Sequence, residues 1–477
     1  MTANASHQFN RNLEYQAMLI SQTLKRIAEQ IDRVGGNPIL VGGAVRDHLL
    51  GNEIKDIDIE VFNLSVDQLT GILNEFGRTS VVGKAFGVLK VSVDGMDFDF
   101  SLPRKDQKTG VGNKGFPVET DPEMTFKKAA SRRDFTINAI GLNLLTGEIL
   151  DPFNGGDDLK SRILRVVDPE TFIEDPLRVF RGIQFAARFR LTATSGTMTV
   201  FRNLLDNLPE LPQERIFEEM KKLLLKADTP SVGLALADKT GLIEKLFPEL
   251  YALHNVQQDP TWHPEGDVWT HTMLVLDEAA KSRNGTISHD LPLMLAALCH
   301  DFGKPVTTTF TDGRWISYGH ESEGEKTARC FLERLTNETT LIRTVSALVR
   351  DHLKPTQLYK SKHVSNGAIR RLAMRTNLPL LVELAQADTF GRGRNTREKG
   401  FPAGEWLLER WKELQLHREE GIRPFLMGRH LLKLGLMPGP RIGRILKEAF
   451  ELQLDDEICS LNDALVWARK RISTQLP

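Results

Sequence analysis

The stretch Val41-Gly42-Gly43-Ala44-Val45-Arg46-Asp47, with Asp56-Ile57-Asp58 shortly after it, decides the predicted fold. The glycines follow a strand-like run from Asn37 to Val41 and precede a helical pattern from Ala44 to Leu50. Glycine lets the backbone approach a phosphate closely, and the N–H groups at a helix N-terminus carry partial positive charge. Glycine turns between strands and helices are common, so this segment alone leaves a purely structural role equally open.

A pair of carboxylates follows in a strand-like run. Asp56 and Asp58 are two residues apart, so period-two alternation directs both to one face, where their repulsion is costly without cations. Two Mg²⁺ ions about 3.5–4 Å apart activate an attacking hydroxyl and neutralise a triphosphate in nucleotidyl transfer. A third carboxylate is available in the run from Met96 to Phe100, which contains Asp97 and Asp99. A solvated acidic strand face is the alternative for each pair alone.

A third spacing concerns a predicted helix. Asp175, Arg178 and Arg181 are three residues apart, which predicts one shared helix face. A carboxylate beside a guanidinium can hydrogen-bond a base edge, and a flanking arginine can hold a phosphate. A surface ion pair is the alternative interpretation of this spacing.

Five ordered motifs give the first 190 residues a specific resemblance. Besides the glycine turn and the D-x-D pair, they are Arg132-Arg133-Asp134-Phe135-Thr136-Ile137-Asn138, Asp151-Pro152-Phe153-Asn154-Gly155-Gly156-Asp157-Asp158-Leu159 and Glu174-Asp175-Pro176-Leu177-Arg178. This part of the chain resembles the class II tRNA nucleotidyltransferase and poly(A) polymerase family, a polymerase-β-like group that includes the CCA-adding enzymes. The resemblance implies an enzyme that extends tRNA from CTP and ATP without a nucleic-acid template.

The resemblance also implies roles for individual residues. Asp56, Asp58 and Asp99 would be catalytic, with Asp56 and Asp58 holding Mg²⁺ and Asp99 assisting. Asp175 and Arg178 would read the base. The full set of implied nucleotide-binding residues is Gly42, Gly43, Arg46, Arg133, Asp134, Asn138, Asp175, Arg178 and Arg181.

The extent of addition is predicted from a loop. The segment from Lys105 to Thr120 is long and contains three glycines, whereas relatives that add only two C residues tend to have a shortened loop here. Full addition or repair of CCA is therefore favoured. An enzyme that adds only A and a poly(A) polymerase are the nearest alternatives.

A second group of residues predicts a metal site. His271, His300-Asp301 and Asp388 are imidazole and carboxylate ligands suited to a divalent metal, although a lone buried histidine is more often a packed residue. The pattern resembles the H…HD…D signature of the HD phosphohydrolase superfamily. It implies phosphatase and 2′,3′-cyclic phosphodiesterase activity with Ni²⁺, Mn²⁺ or Mg²⁺. His320 and His352 are further candidates or surface histidines, and an HD domain serving only as an RNA scaffold stays open.

The resemblance predicts an α+β chain in five parts. They are an N-terminal helical extension (1–35), a polymerase-β-like nucleotidyltransferase head (36–158), an all-helical neck with the base-selecting helix (159–255), an HD-type helical domain (256–395) and a helical tail (396–477). The length of 477 residues and the 40% hydrophobic content agree with several packed domains and exclude wholesale disorder. An HD phosphohydrolase whose head merely binds RNA is the rival from another class.

Composition limits the partners and the compartment. The net charge of −1 gives no global attraction for nucleic acid, so tRNA binding must use local basic surfaces. The tail offers one such surface, with Arg429, Lys433, Arg441, Arg444 and Lys447. No membrane span and no C-x-x-C pair is apparent, so we expect no membrane partner, no disulfide framework and a cytoplasmic enzyme acting as a monomer or homodimer.

Overall fold

The structure is a computed structural model that describes residues 22–54, 56–82, 88–105, 119–416 and 422–473. The chain forms two compact units, Met1–Leu211 and Pro212–Pro477. The fold is α+β, as predicted, with the main sheet in the first unit and helices dominating the second. The finer boundaries at 158, 255 and 395 stay predictions.

A seven-stranded sheet forms the centre of the first unit, in the order β3-β4-β5-β2-β1-β8-β9. The strands are β1 (Asn37–Val41), β2 (Asp58–Phe62), β3 (Arg78–Val82), β4 (Val88–Val93), β5 (Met96–Ser101), β8 (Gly141–Asn143) and β9 (Ile149–Leu150). Only the β2–β5 pair is parallel among the pairs of this sheet. This pairing brings the two acidic strands side by side.

Helices cover the sheet because their apolar faces match it. Helix α1 (Gln22–Arg33) buries Leu24, Ile27 and Ile31 in the same core as Phe98 and Phe100 of β5. The periodicity predicted this helix, although its expected first turns, residues 14–21, lie outside the described residues. Helix α2 (Gly43–Leu49) follows the glycine turn, and α3 (Val66–Asn74) begins with a capping box formed by Ser65 and Gln68.

Short elements complete the first unit. They are β6 (Arg104–Lys105), β7 (Glu119–Thr120), α4 (Phe126–Ala130), a 3₁₀ turn (Thr136–Asn138), α5 (Gly155–Lys160), β10 (Ile163–Leu164), α6 (Pro169–Phe172), α7 (Arg178–Phe189), β11 (Thr192–Ala193), α8 (Ser195–Asn203) and a second 3₁₀ segment (Leu205–Glu210). The predicted loop contains the β6–β7 ladder at its ends, and residues 106–118 lie outside the described residues. The parallel β10–β11 pair is a small departure from the expected all-helical neck.

The second unit consists mainly of helices. They are α9 (Gln213–Lys226), α10 (Ser231–Lys239), α11 (Leu242–Leu246), α12 (Pro248–Tyr251), α13 (Val268–Ala280), α14 (Ile287–Cys299), α15 (Lys304–Thr307), α16 (His320–Glu333), α17 (Thr339–Asp351), α18 (Lys354–Lys360), α19 (Asn366–Arg375), α20 (Leu378–Gly391), α21 (Arg394–Glu398) and α22 (Pro402–Glu413). Helix α14 is buried from Asp290 to Cys299, so it forms the centre. One hairpin, β12 (Thr309–Thr311) with β13 (Arg314–Ile316), interrupts the helices.

The tail has a small core of its own. Helices α23 (Gly428–Lys433), α24 (Pro440–Leu454) and α25 (Leu461–Ser473) bury Leu431, Ile445 and Ala468 in one cluster. Cys299, Cys330 and Cys459 are free thiols, which agrees with the expected lack of a disulfide framework. In the described part of the chain, no helix has both the length and the apolar character needed to cross a membrane.

Candidate active site and metal centre

The parallel pairing of β2 with β5 positions the acidic residues of the head. Asp58, the first residue of β2, is in register with Asp99 of β5. Asp56 lies just before β2 and is exposed, so only Asp58 of the D-x-D pair belongs to the strand. The alternation predicted for β5 is present, because Phe98 and Phe100 are fully buried while Asp99 faces the other way.

Asp99 and Asp97 differ in their neighbours. Asp97 accepts a hydrogen bond from the Ser92 hydroxyl and lies 3.3 Å from Lys90 Nζ. Asp99 Oδ1 is buried without a hydrogen-bond partner, and its ion pair with Lys90 is long, at 3.9 Å. Asp99 therefore keeps an unmet acceptor beside Asp58, which fits an oxygen-ligated divalent cation.

The charges around Asp58 also favour a cation. Desolvation raises the pKa of Asp58, Arg133 opposes that rise in part, and Asp99 and Asp56 add to it. Among the described residues, groups of three or more carboxylate, imidazole or thiol side chains with ligand atoms all within 4.8 Å of one another occur only in the second unit. The three head carboxylates are thus neighbours that are more widely spaced than a closed ligand cage.

The glycine turn lies against these residues. Gly42 has φ 70° and ψ −132°, a conformation that is essentially restricted to glycine. A Cβ at this position would lie 3.0 Å from Arg133 Nη1 and 4.0 Å from Asp58 Oδ2. The turn therefore allows the start of α2, Arg133 and Asp58 to meet in one place.

Arg46 is more enclosed than its predicted phosphate contact suggests. It is buried, donates to both carboxylate oxygens of Asp47 at 2.9 and 3.0 Å, and donates from Nη1 to Asn138 Oδ1 at 2.7 Å. Its guanidinium carbon also lies 4.4 Å from the centre of the Phe189 ring. These contacts fix α2 against the first unit's interior.

Asp134 extends this network to helix α7. It is buried, and it accepts hydrogen bonds from Asn138 Nδ2 at 3.0 Å, the Phe135 N–H at 2.8 Å and Arg181 Nε at 2.7 Å. Burial alone would raise the pKa of Asp134, but Arg181 and the other donors outweigh it and lower the pKa. The structure thus links three predicted nucleotide-binding residues, Asp134, Asn138 and Arg181, to one another.

Asp175 departs from the expected helical position. Helix α7 begins only at Arg178, and Asp175 lies in the preceding turn, where its carboxylate accepts the Leu177 N–H at 3.2 Å. The prediction that Asp175, Arg178 and Arg181 share a helix face is therefore wrong for Asp175. Pro176 explains this, because proline disfavours helical geometry in the residue before it. Arg178 donates to the carbonyls of Thr171 and Arg132, both at 2.8 Å.

The four predicted HD residues come together in the second unit. His271 lies in α13, His300 and Asp301 follow α14 directly, and Asp388 lies in α20. All are buried, with His271 Nε2 3.1 Å from Asp388 and His300 Nε2 3.2 Å from Asp301. Sequence positions up to 117 residues apart thus form one cluster.

His320 and His352 are part of this cluster and are not surface residues. Both are buried, their Nε2 atoms are 3.3 Å apart, and His320 Nε2 lies 3.5 Å from Asp301 Oδ1. Two groups of potential ligands lie within it, one with His271, His300 and Asp388 and one with Asp301, His320 and His352, and a third group, His263, Glu265 and His271, shares His271 with the first. The cluster thus offers ligands for two adjacent cations.

The backbone fixes the histidine rings for metal binding. Nδ1 of His300, His320 and His352 lies 2.7–2.9 Å from the carbonyl oxygen of Ala297, Ser317 or Val349 respectively. Because a carbonyl only accepts, Nδ1 carries the proton, and Nε2 of a neutral ring keeps its lone pair. Nε2 of His300 and Oδ2 of Asp301 are buried and lie 3.2 Å apart without a well-formed hydrogen bond, and Lys304 Nζ forms an ion pair with the same oxygen at 2.7 Å. A divalent metal between the ring nitrogen and the carboxylate would satisfy both atoms.

The electrostatics of the cluster favour bound cations. Burial would raise the pKa of Asp301 and Asp388, but electrostatic interactions with neighbouring groups, led by His300 for Asp301 and by Arg392 for Asp388, keep both well below the usual range. Burial, together with His320 and His300, lowers the pKa of His352 to about 3. Ionised carboxylates beside a neutral imidazole are the state that a divalent metal requires of its ligands.

Sequence reasoning missed the residues that support these ligands. Glu265 Oε1 lies 2.6 Å from His271 Nδ1 and 2.9 Å from His263 Nδ1. Burial would raise the pKa of Glu265, but the hydrogen bonds with His263 and His271 outweigh it and lower the pKa to about 2. Arg392, one turn after Asp388, pairs with it at 2.9 Å. The His263-x-Glu265 pattern shortly before His271 was the available sequence signal.

Three family models match successive parts of the chain. The Poly A polymerase head domain matches residues 39–165, the probable RNA and SrmB-binding site of polymerase A matches 192–253, and the HD domain matches 268–393. Together with the acidic strands and the histidine cluster, these matches define a nucleotidyltransferase that also carries an HD domain.

Curated relatives are more specific. The multifunctional CCA protein of Xanthomonas campestris pv. campestris (strain B100) is 32% identical over 422 residues, which cover 86% of this chain and 96% of that protein. The one from Methylobacillus flagellatus is 38% identical over 298 residues, covering 62% and 68% of the two chains. The chain therefore belongs to the multifunctional CCA protein family.

Solved structures agree in fold. The CCA-adding enzyme of Bacillus stearothermophilus, in complex with CTP, has a TM-score of 0.67 at 21% identity and covers 95% of this chain and 98% of its own. A CCA-adding enzyme in complex with ATP has a TM-score of 0.61 at 19% identity, with 94% of each chain covered. At this identity the likeness bears on the fold.

Proposed function

We propose that the head adds or repairs the 3′-terminal CCA of tRNA from CTP and ATP without a nucleic-acid template. The 3′-hydroxyl of tRNA attacks the α-phosphate of CTP twice and of ATP once, and each step forms a P–O bond and releases pyrophosphate. The observation that carries this proposal is the register of Asp58 with Asp99 beside the Gly42 turn and Arg133.

The residues of the head have distinct proposed roles. Asp56, Asp58 and Asp99 would hold Mg²⁺. When bound, Mg²⁺ neutralises the triphosphate and favours the alkoxide form of the attacking 3′-hydroxyl. Gly43 N–H and Arg133 bind phosphate oxygens. Arg46, Asp134 and Asn138 position the turn, and Gly42 keeps it open.

Base selection is proposed for the start of α7. Arg178 donates to two backbone carbonyls, which holds its guanidinium in one orientation. Asp175 lies one turn earlier, fixed by its bond to the Leu177 N–H. We propose that both read the base edge and that Arg181, held by Asp134, supports them.

The test uses tRNA transcripts ending before CCA, after C and after CC, each with CTP, ATP or both. Sequencing of the products is expected to reveal ordered addition of C, C and A. Addition of A alone, and only to the CC end, would identify an A-adding enzyme. Extension past CCA with a run of A would identify a poly(A) polymerase, and no extension would contradict transferase function.

For the second unit we propose a metal-dependent phosphohydrolase acting on phosphate monoesters and 2′,3′-cyclic phosphates. The supporting observation is the presence of two buried groups of potential metal ligands. One contains His271, His300 and Asp388, and the other contains Asp301, His320 and His352. Ni²⁺, Mn²⁺ or Mg²⁺ bound there would polarise the phosphate and activate water. In cyclic phosphate hydrolysis water adds to phosphorus, one ribose P–O bond breaks, and the released oxygen takes a proton.

Metal content and activity test this second proposal together. After dialysis against Mn²⁺ we expect the wild-type chain to hold about two more ions than the double variant His300→Gln/Asp301→Asn, because the head site is the same in both proteins. Replacing both His300→Gln and Asp301→Asn is expected to remove hydrolysis while CCA addition continues. Unchanged hydrolysis would exclude this cluster as the catalyst.

We further propose a cytoplasmic location, supported by the free thiols.

A further inference from the structure

The histidine cluster opens into a cavity of about 520 Å³ in the second unit. Asp301, His320, His352 and Asp388 of the metal cluster line it at one place. Trp262, Trp315 and Tyr318 line the same cavity. The two residue types differ sharply in chemistry, since ligands for cations occur together with three large aromatic rings.

The aromatic residues are unusually exposed for their size. Tyr318 is 79% exposed and Trp262 is 61% exposed, so neither is a core residue. Lys360 Nζ lies 5.9 Å from the centre of the Trp262 ring and adds an exposed positive charge at the rim. We call Trp262, Tyr318 and Lys360 the rim.

The chain ties the rim to the metal cluster. Tyr318 stands between Ser317, whose carbonyl orients His320, and His320 itself. Trp262 directly precedes His263, whose Nδ1 lies 2.9 Å from Glu265, the residue that orients His271. Both rings are therefore held within two residues of groups that position the ligands.

A phosphate alone needs cations and hydrogen-bond donors, and it gains nothing from exposed aromatic faces. A nucleobase does, because bases stack on aromatic side chains regardless of sequence and pair well with an adjacent cation. We propose that Trp262 and Tyr318 stack on the base of the phosphate ester that enters the HD cavity. The site then selects nucleotides and RNA 3′ ends over base-free phosphates. This inference rests on the hydrolase function proposed above.

The test compares a nucleotide substrate with a base-free phosphate ester, using the full chain loaded with Mn²⁺. The substrates are adenosine 2′,3′-cyclic phosphate and glycerol 1,2-cyclic phosphate, which share the cyclic phosphodiester. Trp262→Ala and Tyr318→Ala are each expected to raise KM for the nucleotide by about 5- to 100-fold, with kcat nearly unchanged. KM for the glycerol compound is expected to stay the same, and Trp262→Phe to keep most of the affinity.

Tyr251→Ala provides the matched control. Tyr251 is 42% exposed on α12, and neither it nor its ring neighbour His254 is among the residues that line the cavity, so its loss is expected to change neither KM. Equal effects of Trp262→Ala on both substrates, or no effect on either, would overturn the inference. CCA extension by each variant checks that the chain is folded.

A binding measurement separates this inference from the hydrolase proposal. If the wild-type protein hydrolyses neither substrate, the hydrolase function fails, but the rim is still testable with adenosine 3′-monophosphate and inorganic phosphate as ligands. Trp262→Ala is then expected to weaken binding of the nucleotide and to leave binding of inorganic phosphate unchanged. The head is identical in both proteins, so a difference reports the rim, and equal nucleotide affinity would contradict it.

Discussion

Asp58 and Asp99 are direct neighbours across the parallel β2–β5 pair, although 41 residues separate them (99 − 58). Strand pairing holds the two carboxylates on one face, and Asp99 Oδ1 has no hydrogen-bond partner there. Repulsion between such groups is tolerated where a divalent cation is bound. We therefore expect transfer to depend strongly on both carboxylates.

Asp58→Asn is expected to reduce CCA addition by about a thousandfold or more, because metal ions supply several kcal/mol of charge stabilisation. The fold is expected to remain intact. Since the pKa of Asp58 is raised in the folded protein, its ionised form opposes folding at neutral pH, and the neutral amide removes that cost. Single-turnover extension and urea unfolding measure the two effects.

Asp97→Asn is the matched control on the same strand. Asp97 contacts Ser92 and Lys90 instead of Asp58, and it is exposed, so transfer is expected to stay near the wild-type rate. Rapid extension by Asp58→Asn, or equal losses in both variants, would contradict the assigned metal site.

Gly42→Ala is expected to slow transfer by about tenfold or more, since a non-glycine residue in this backbone conformation costs roughly 1–3 kcal/mol. The added Cβ would also crowd Arg133 Nη1 at 3.0 Å. Gly71→Ala is the control, because Gly71 lies within helix α3 with open space around it. That change is expected to stabilise the protein by about 0.5–1 kcal/mol. Wild-type activity of Gly42→Ala would show that the turn tolerates a side chain.

Asp134→Ala is expected to destabilise the head by about 1–3 kcal/mol, since it leaves the buried Asn138 amide and Phe135 N–H without their acceptor. It also removes the acceptor of Arg181 Nε, so C-versus-A choice is expected to deteriorate. Asp157→Ala is the control, since the Asp157–Lys160 pair is exposed and contributes little. The measurements are urea inactivation of extension and sequencing of misincorporated products. Equal fidelity in both variants would exclude a role for this network in base choice.

Glu265→Gln is expected to weaken metal binding in the second unit by about 10- to 100-fold, the usual effect of losing a carboxylate that orients a histidine ligand. CCA addition is expected to be unaffected, because Glu265 lies outside the head. Metal titration by calorimetry measures the affinity, and Glu323→Gln, an exposed residue of α16, is the control. Unchanged metal affinity would show that Glu265 serves packing alone.

Local sequence rules predicted much of the head. Alternation in the run from Met96 to Phe100 indicated which side chains are buried, and the glycine turn after Asn37–Val41 marked the start of a helix. The signature residues of the HD cluster were identified through the resemblance to the HD superfamily, and not by spacing. The rule failed at Asp175, where three-residue spacing suggested a helical position that the following Pro176 disfavours, and the helix begins only at Arg178.

By itself the sequence determined which local faces the candidate site residues of the head occupy, because residue type and short-range periodicity fix those faces. Only the tertiary structure decided which of them meet. It joined Arg46 to Asn138 across 92 residues and His320 to His352 across 32, and it placed Trp262 and Tyr318 around one cavity. Such contacts depend on how strands pair and helices pack, and the spacing along the chain does not encode them locally.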